Sequence, residues 1–292
     1  MSTKSIAIRA TKSPASAFGR RRFLGHAGIA AVTLVGMRAK AADPLLLAIN
    51  EGTTYRVNPV ETQERFQAIS DDLSKLLKAP VKAVAVPRYD ELVKGLAYQQ
   101  YAIAYVHPAH HAIRAMTAHG YRLAALTKGY VEYRASIFVA KDSPVKALAD
   151  LKGKRLGAPD EDSITSVILR ATLRDAGLTP DVHVTYVRYQ DAVPFMVEHG
   201  LTAAGVTASG AVLKAWTDKG GRIVATSKPV PIKHMLVSGK APAGTLDRVT
   251  EYFTGLEAAK DGRARLEAMR VSGFVPFDEE PIKAIGKWLG IA

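Results

Sequence analysis

The segment Ser163-Ile164-Thr165-Ser166 places three hydroxyls within four residues, at the opening of a run whose apolar positions are Ile164, Val167, Ile168, Ala171 and Leu173, with Gly177 as the stop. That spacing predicts a helix starting at Ile164 with Ser163 as its N-cap. First-turn N–H groups have no intrahelical acceptor and stand at the positive end of the helix dipole. With the hydroxyls of Ser163, Thr165 and Ser166 they form a site suited to an anion. The chemistry is hydrogen bonding, with no covalent step. A capping serine also begins ordinary helices. The acids Asp160, Glu161 and Asp162 just before it oppose an anion unless they turn away or pair with Arg134 or Arg170.

Other polar side chains fall where strands end. Apolar runs predict strands over 44–49, 81–86, 102–106, 122–126, 137–140, 155–158, 182–187, 203–206, 222–225 and 234–237. Helices are predicted between most of them and near 246–259, 263–270 and 281–289, these last three packing on the first part of the chain. Such βα units carry ligand loops at the carboxyl ends of their strands. Tyr89 follows the second strand, His107 the third, and Thr207 and Ser209 the small-residue strand near 203–206, while Asp191 opens a helix. Tyr89 in that position serves equally as a helix-start aromatic packed on the sheet. His107, His110 and His111 invite a metal, but adjacent His110 and His111 are expected to diverge on a helix and no carboxylate stands near to support them. A hydrogen bond from His107 to a ligand is the expectation instead.

Several classes are excluded. Zero cysteine removes disulfides, thiolate metal sites and cysteine nucleophiles. Gly153-Lys154-Arg155 lacks the upstream glycine and following hydroxyl of a phosphate-binding P-loop. There is no GxSxG, no HExxH and no Ser-His-Asp set, so neither an enzyme nor a cofactor or metal is expected.

The first 41 residues are read as an export leader rather than fold. Gly19-Arg20-Arg21-Arg22-Phe23-Leu24 is close to a twin-arginine signal, a short apolar run follows to Val35, and Ala39-Lys40-Ala41 offers a small-residue cleavage site. The run is too short to span a bilayer, so no stable membrane insertion is expected after cleavage. The net charge of +13 comes from 40 bases against 27 acids; the leader holds eight bases and no acid, which leaves 32 against 27, or +5. No basic stripe with interleaved aromatics remains, so nucleic acid is not an expected partner, while a mild positive field suits an anion. The roughly 250 residues beyond it allow one large domain or two α/β lobes, each with its own core.

The order of these marks resembles the periplasmic phosphonate, phosphite and phosphate binding proteins of ABC importers. The resemblance is carried by DSPVKALADLKGKR before a Ser-x-Thr-Ser helix start, Pro87-Arg88-Tyr89, Ile103-Ala104-Tyr105-Val106-His107-Pro108, Gln190-Asp191 and Lys228-Pro229-Val230-Pro231. It implies an α/β, two-lobed periplasmic binding protein of type II, each lobe a mainly parallel sheet flanked by helices. Residues 42–132 plus 229–292 would form lobe 1 and 133–228 lobe 2, with two crossover segments as the hinge. It also implies a small anionic ligand in an interlobe cleft, an ABC permease as partner, and a pocket of Tyr89, His107, Tyr133, Ser163, Thr165, Ser166 and Asp191. The chain departs from the family pattern at Ile164, Ala135 and Ala203, where hydroxyl or acidic residues are common, and these changes bear on the ligand more than on the fold. A receptor feeding a sensor kinase, or one for a carboxylate or sulfonate with an apolar tail, is the alternative.

Overall fold

The computed structural model describes residues 43–52, 54 and 58–291. The leader lies outside them, as do Thr53 and Tyr55 of the loop after the first strand. In chain order the elements are β1 (Leu45–Asn50), α1 (Pro59–Arg65), α2 (Gln67–Leu77), β2 (Val81–Ala85), α3 (Tyr89–Ala97), β3 (Ile103–Val106), α4 (Ala109–Ala118), β4 (Tyr121–Thr127) and β5 (Ser136–Val139). There follow β6 (Arg155–Ala158), α5 (Ile164–Asp175), β7 (His183–Tyr186), α6 (Val193–Glu198), β8 (Ala204–Thr207), α7 (Gly210–Asp218) and β9 (Arg222–Thr226). The last are β10 (His234–Ser238), α8 (Thr245–Gly255), α9 (Gly262–Met269), β11 (Phe274–Val275) and α10 (Glu279–Leu289). Short 3₁₀ turns occupy Leu148–Leu151, Gln190–Ala192 and Leu256–Ala258.

The strands form two sheets, ordered β11-β4-β10-β3-β1-β2 and β7-β6-β8-β5-β9. In the first, β1 runs parallel to β2 and β3, and β10 runs antiparallel to β3 and β4. In the second, β6 is parallel to β7 and β8, and β5 is antiparallel to β8 and β9. The chain therefore passes between sheets twice, and the two passages meet where Tyr133 pairs antiparallel with Val230.

Local sequence explains the helix starts. Asn58 caps α1 by accepting from the Val60 N–H at 3.0 Å, with Pro59 at the first position, where its missing N–H costs nothing. Ser163 caps α5 and Ser209 caps α7. Trp216 is a core residue as its spacing suggests: it packs on Phe138 at 4.9 Å and its indole N–H donates to the Val139 carbonyl at 2.9 Å. Burying a side chain such as Phe138 stabilises by about 1.5–3 kcal/mol.

From Ala42 onward the chain is one compact unit, and one of its core clusters draws on both sheets. This cluster joins Ala109 and Ile113 of α4, Leu126 of β4 and Ile282 and Leu289 of α10 to Ile137, Leu156 and Val206 of the second sheet and Ile168 of α5. The sequence places α10 on the first part of the chain only; it packs on both α4 and α5. The Trp288 indole N–H donates to Asp175 Oδ2 at 2.8 Å, Lys228 Nζ meets the same oxygen at 2.7 Å, and the Arg174 guanidinium donates to the Trp288 carbonyl. The reason is the buried stripe Ile282, Gly286 and Leu289, flanked by the partly buried Ile285 and Trp288, which is wide enough to meet two helices at once. Among the described residues no helix is long and apolar enough to cross a membrane.

Small residues in β8 have a packing cause. A Cβ on Gly205 would lie 2.5 Å from the Phe138 ring and 2.8 Å from Val193 Cγ1. Gly205→Ala is therefore expected to destabilise the protein by about 1–3 kcal/mol through overpacking. Thermal denaturation checks this, and an unchanged midpoint would refute the packing argument.

Candidate functional site

The carboxyl ends of the parallel strands deliver helix N-termini from both sheets: α3 and α4 follow β2 and β3, while α5 and α7 follow β6 and β8. Asn50, at the end of β1, ties this edge together. Its Nδ2 donates to the Val86 carbonyl at 2.7 Å and its Oδ1 accepts from the Gly52 N–H at 3.1 Å. Gly52 has φ +93°, and a Cβ there would sit 2.8 Å from the His107 ring, so both conformation and space require glycine.

At α5 the three predicted hydroxyls have different tasks. Ser163 Oγ accepts from the Ser166 N–H and donates to Ser166 Oγ, both at 3.2 Å, and Ser166 Oγ donates to the Pro159 carbonyl at 2.9 Å. These two hydroxyls hold the helix start. Thr165 is fully buried and its hydroxyl meets the Tyr133 hydroxyl at 3.2 Å. The N–H groups of Ile164 and Thr165 open the helix and have no intrahelical acceptor. The loop acids do not block this end. Glu161 and Asp162 are exposed, Asp160 Oδ1 accepts from the Asp162 N–H at 2.9 Å, and Arg170 binds the Glu161 carbonyl at 2.8 Å rather than a carboxylate.

From the first sheet come His107 and Tyr89. His107 is buried; its N–H donates to the Asn50 carbonyl at 2.9 Å, its own carbonyl accepts from the Lys233 N–H at 3.1 Å, and its ring meets the Tyr133 ring edge-on at 6.3 Å. Tyr89, the first residue of α3, is also buried and packs edge-on against His111 at 4.9 Å and His110 at 6.4 Å. The expectation that His110 and His111 diverge is corrected: their rings lie 3.9 Å apart. Wedged between neighbouring helices, the first turn of α4 is buried over most of its circumference, so adjacent positions reach one space. Among the described residues no group of three His, Cys, Asp or Glu side chains could hold a metal.

The structure brings Tyr133 and Thr165 together beside His107, and sets Tyr89 against the histidine pair. It does not bring in Asp191, which is exposed. Its neighbour Gln190 is buried instead, accepting from Thr207 Oγ1 at 2.9 Å and the Ala208 N–H at 2.8 Å, and donating to Thr54 Oγ1 at 3.4 Å. Sequence reasoning favoured the carboxylate of the pair; the amide fits better at a strand end whose neighbours are donors.

Burial keeps the imidazoles neutral. His107 is lowered to about 3 by burial, then by Lys233 and His234; His234 on β10 is lowered to about 3 by burial. His111 is lowered to about 4 by burial and Arg114, and His110 lies well below its usual range through burial, His111, Arg114 and Arg170. The arrangement thus offers helix N-termini, hydroxyls, an amide and neutral rings, a set chemically able to hold an anion without a buried cation.

The family model for the periplasmic substrate-binding protein of phosphonate ABC transporters matches residues 52–281. The chain belongs to this family. Solved structures show the same fold, the type II periplasmic binding protein fold of two sheets flanked by helices. XAC2383 from Xanthomonas citri, bound to chloride, is 15% identical, with 84% of this chain and 97% of that chain covered at a TM-score of 0.71. PhnD1 from Prochlorococcus marinus, in complex with methylphosphonate, is 17% identical over 86% of this chain and 100% of that chain, with a TM-score of 0.64. The aliphatic sulphonate binding protein SsuA from Escherichia coli is 16% identical over 85% and 87%, with a TM-score of 0.54.

The buried histidines make stability depend on pH. Unfolded histidine titrates near about 6.5, so below that pH the unfolded chain binds protons that the native state refuses. The stability these groups contribute is complete above about pH 6.5 and is lost as pH falls towards the folded values, at about 1.4 kcal/mol per pH unit per histidine. Urea midpoints are expected to drop between pH 7 and 5, with a shallower drop in His234→Gln; equal slopes would contradict a neutral buried His234.

Proposed function

We propose that this chain is the exported receptor of an ABC importer, capturing a small phosphonate-type oxyanion between its two sheets and passing it to a membrane permease. The observation that carries this is the Tyr133–Thr165 hydroxyl pair, 3.2 Å apart, which sets a residue of the intersheet passage against the first turn of α5. An oxyanion there accepts from the Ile164 and Thr165 N–H groups and from these hydroxyls, while His107 and Tyr89 approach from the first sheet. Closing residues 42–132 plus 229–292 on 133–228 around the ligand stabilises the closed state, because only that state makes both sets of bonds. Ser163 and Ser166 act by fixing the helix start. The twin-arginine leader supports export to the periplasm, and family membership supports transport without turnover.

A sulfonate or carboxylate is the second reading. Ile164 and Ala135 line this region with apolar surface, both nearly fully buried, and neutral donors do not demand a doubly charged ligand.

A thermal-shift screen of residues 42–292 with methylphosphonate, phosphite, phosphate, methanesulfonate and simple carboxylates, followed by calorimetry, tests the proposal. A ligand at 100 times its Kd stabilises by about 2.7 kcal/mol. Methylphosphonate or phosphite is expected to give the largest shift. Thr165→Val and Tyr133→Phe should each weaken binding about tenfold or more, as loss of a hydrogen bond to a charged group costs about 1.5–3 kcal/mol, with little change in the ligand-free melting point. Wild-type affinity in both variants would remove this site.

A further inference from the structure

The imidazoles of His110 and His111 have no hydrogen-bonding task in the fold. Each is 3% exposed, and among the described residues none of their four ring nitrogens has a hydrogen-bond partner. A buried donor or acceptor left unpaired costs about 1–3 kcal/mol, and phenylalanine or leucine would fill the same space without that cost. Groups so placed in a folded protein call for a partner from outside the chain.

Their position indicates which partner. His111 meets the ring of Tyr89 at the start of α3, and His110 stands against the backbone of Asp162, the residue before the α5 cap, without completing a hydrogen bond to it. The pair therefore sits between the first sheet and the N-terminus of α5. The titratable and charged groups facing it are Tyr89 from α3, Arg114 from its own helix and Arg170 from α5.

We propose that His110 and His111 contact the ligand and form a polar subsite that selects an oxyanion still carrying a hydroxyl. The proposal rests on the anion-receptor reading above. A neutral imidazole presents one N–H and one lone pair. The two N–H groups donate to charged oxygens of the ligand. Each lone pair repels a bare anionic oxygen and takes a donor instead; the single P–OH of a phosphonate monoanion supplies one of them, and an ordered water the other. A sulfonate of the same shape has no such proton.

Calorimetry on the chain from Ala42, with methylphosphonate and methanesulfonate as probes near pH 6.5, tests this on wild type, His110→Phe, His111→Phe and the glutamine variants at both positions. Wild type is expected to favour methylphosphonate at least tenfold. Each phenylalanine variant should lose tenfold or more of that affinity while its ligand-free melting point stays level or rises, since unpaired nitrogens have gone. Glutamine, which keeps a donor and an acceptor, should restore part of the preference. Should the phenylalanine variants fail to fold, alanine variants at the same positions give the same comparison. Wild-type affinity in both substituted proteins overturns the subsite alone and leaves the nitrogens to buried water. A wild type that binds neither probe overturns the receptor reading itself, and the subsite with it.

Discussion

Two backbone hydrogen bonds fix the axis on which the molecule is built. Tyr133 donates to the Val230 carbonyl at 3.1 Å and Val230 returns the bond at 2.9 Å, pairing the two passages between sheets. Ile232 donates to the Tyr130 carbonyl at 3.0 Å on one side, and Ser227 to the Ala135 carbonyl at 2.9 Å on the other. Pro229 and Pro231 flank Val230 and have no N–H to offer on the outward edge, which leaves the pairing short and prevents a further strand from joining it. The residue that makes this pair also carries the phenol that reaches Thr165. Geometry at the α5 N-terminus is thus inherited from the passage itself.

The electrostatics follow from that economy. No Lys or Arg side chain is buried with the cleft hydroxyls among the described residues; Lys233 turns its ammonium over the Tyr130 ring at 3.7 Å, and Arg170 is spent on a carbonyl. A buried cation would be costly whenever no anion was bound. Helix N-termini and neutral donors carry a smaller desolvation cost, which suits a protein that must both capture and surrender its cargo.

Much of this was legible in the sequence, because strand–loop–helix boundaries are local. The α5 cap and the strands before Tyr89 and His107 follow from apolar periodicity and from Ser, Gly and Pro placement, while the two passages were implied by the family resemblance. The two-residue β11 was not legible, since Phe274–Val275 becomes a strand only by pairing with β4. The tasks of the serines were not legible either: Ser163, Thr165 and Ser166 are chemically alike, and only the Pro159 carbonyl and the Tyr133 phenol distinguish them. Likewise the choice between Gln190 and Asp191 depends on Thr207 and the Ala208 N–H, which are distant in sequence. The meeting of His110 and His111 required knowing that α4 is enclosed.

The C-terminal helix bears on how the protein comes to exist. Leu289 and Ile291 belong to the cluster that also holds Ile137, Leu156 and Val206, and Trp288 secures the far end of α5 through Asp175. While the ribosome still holds that helix, the second sheet lacks part of its interior and α5 lacks a brace. The binding end can therefore finish folding only once α10 has emerged, and a nascent chain paused before α10 would carry an unfinished receptor.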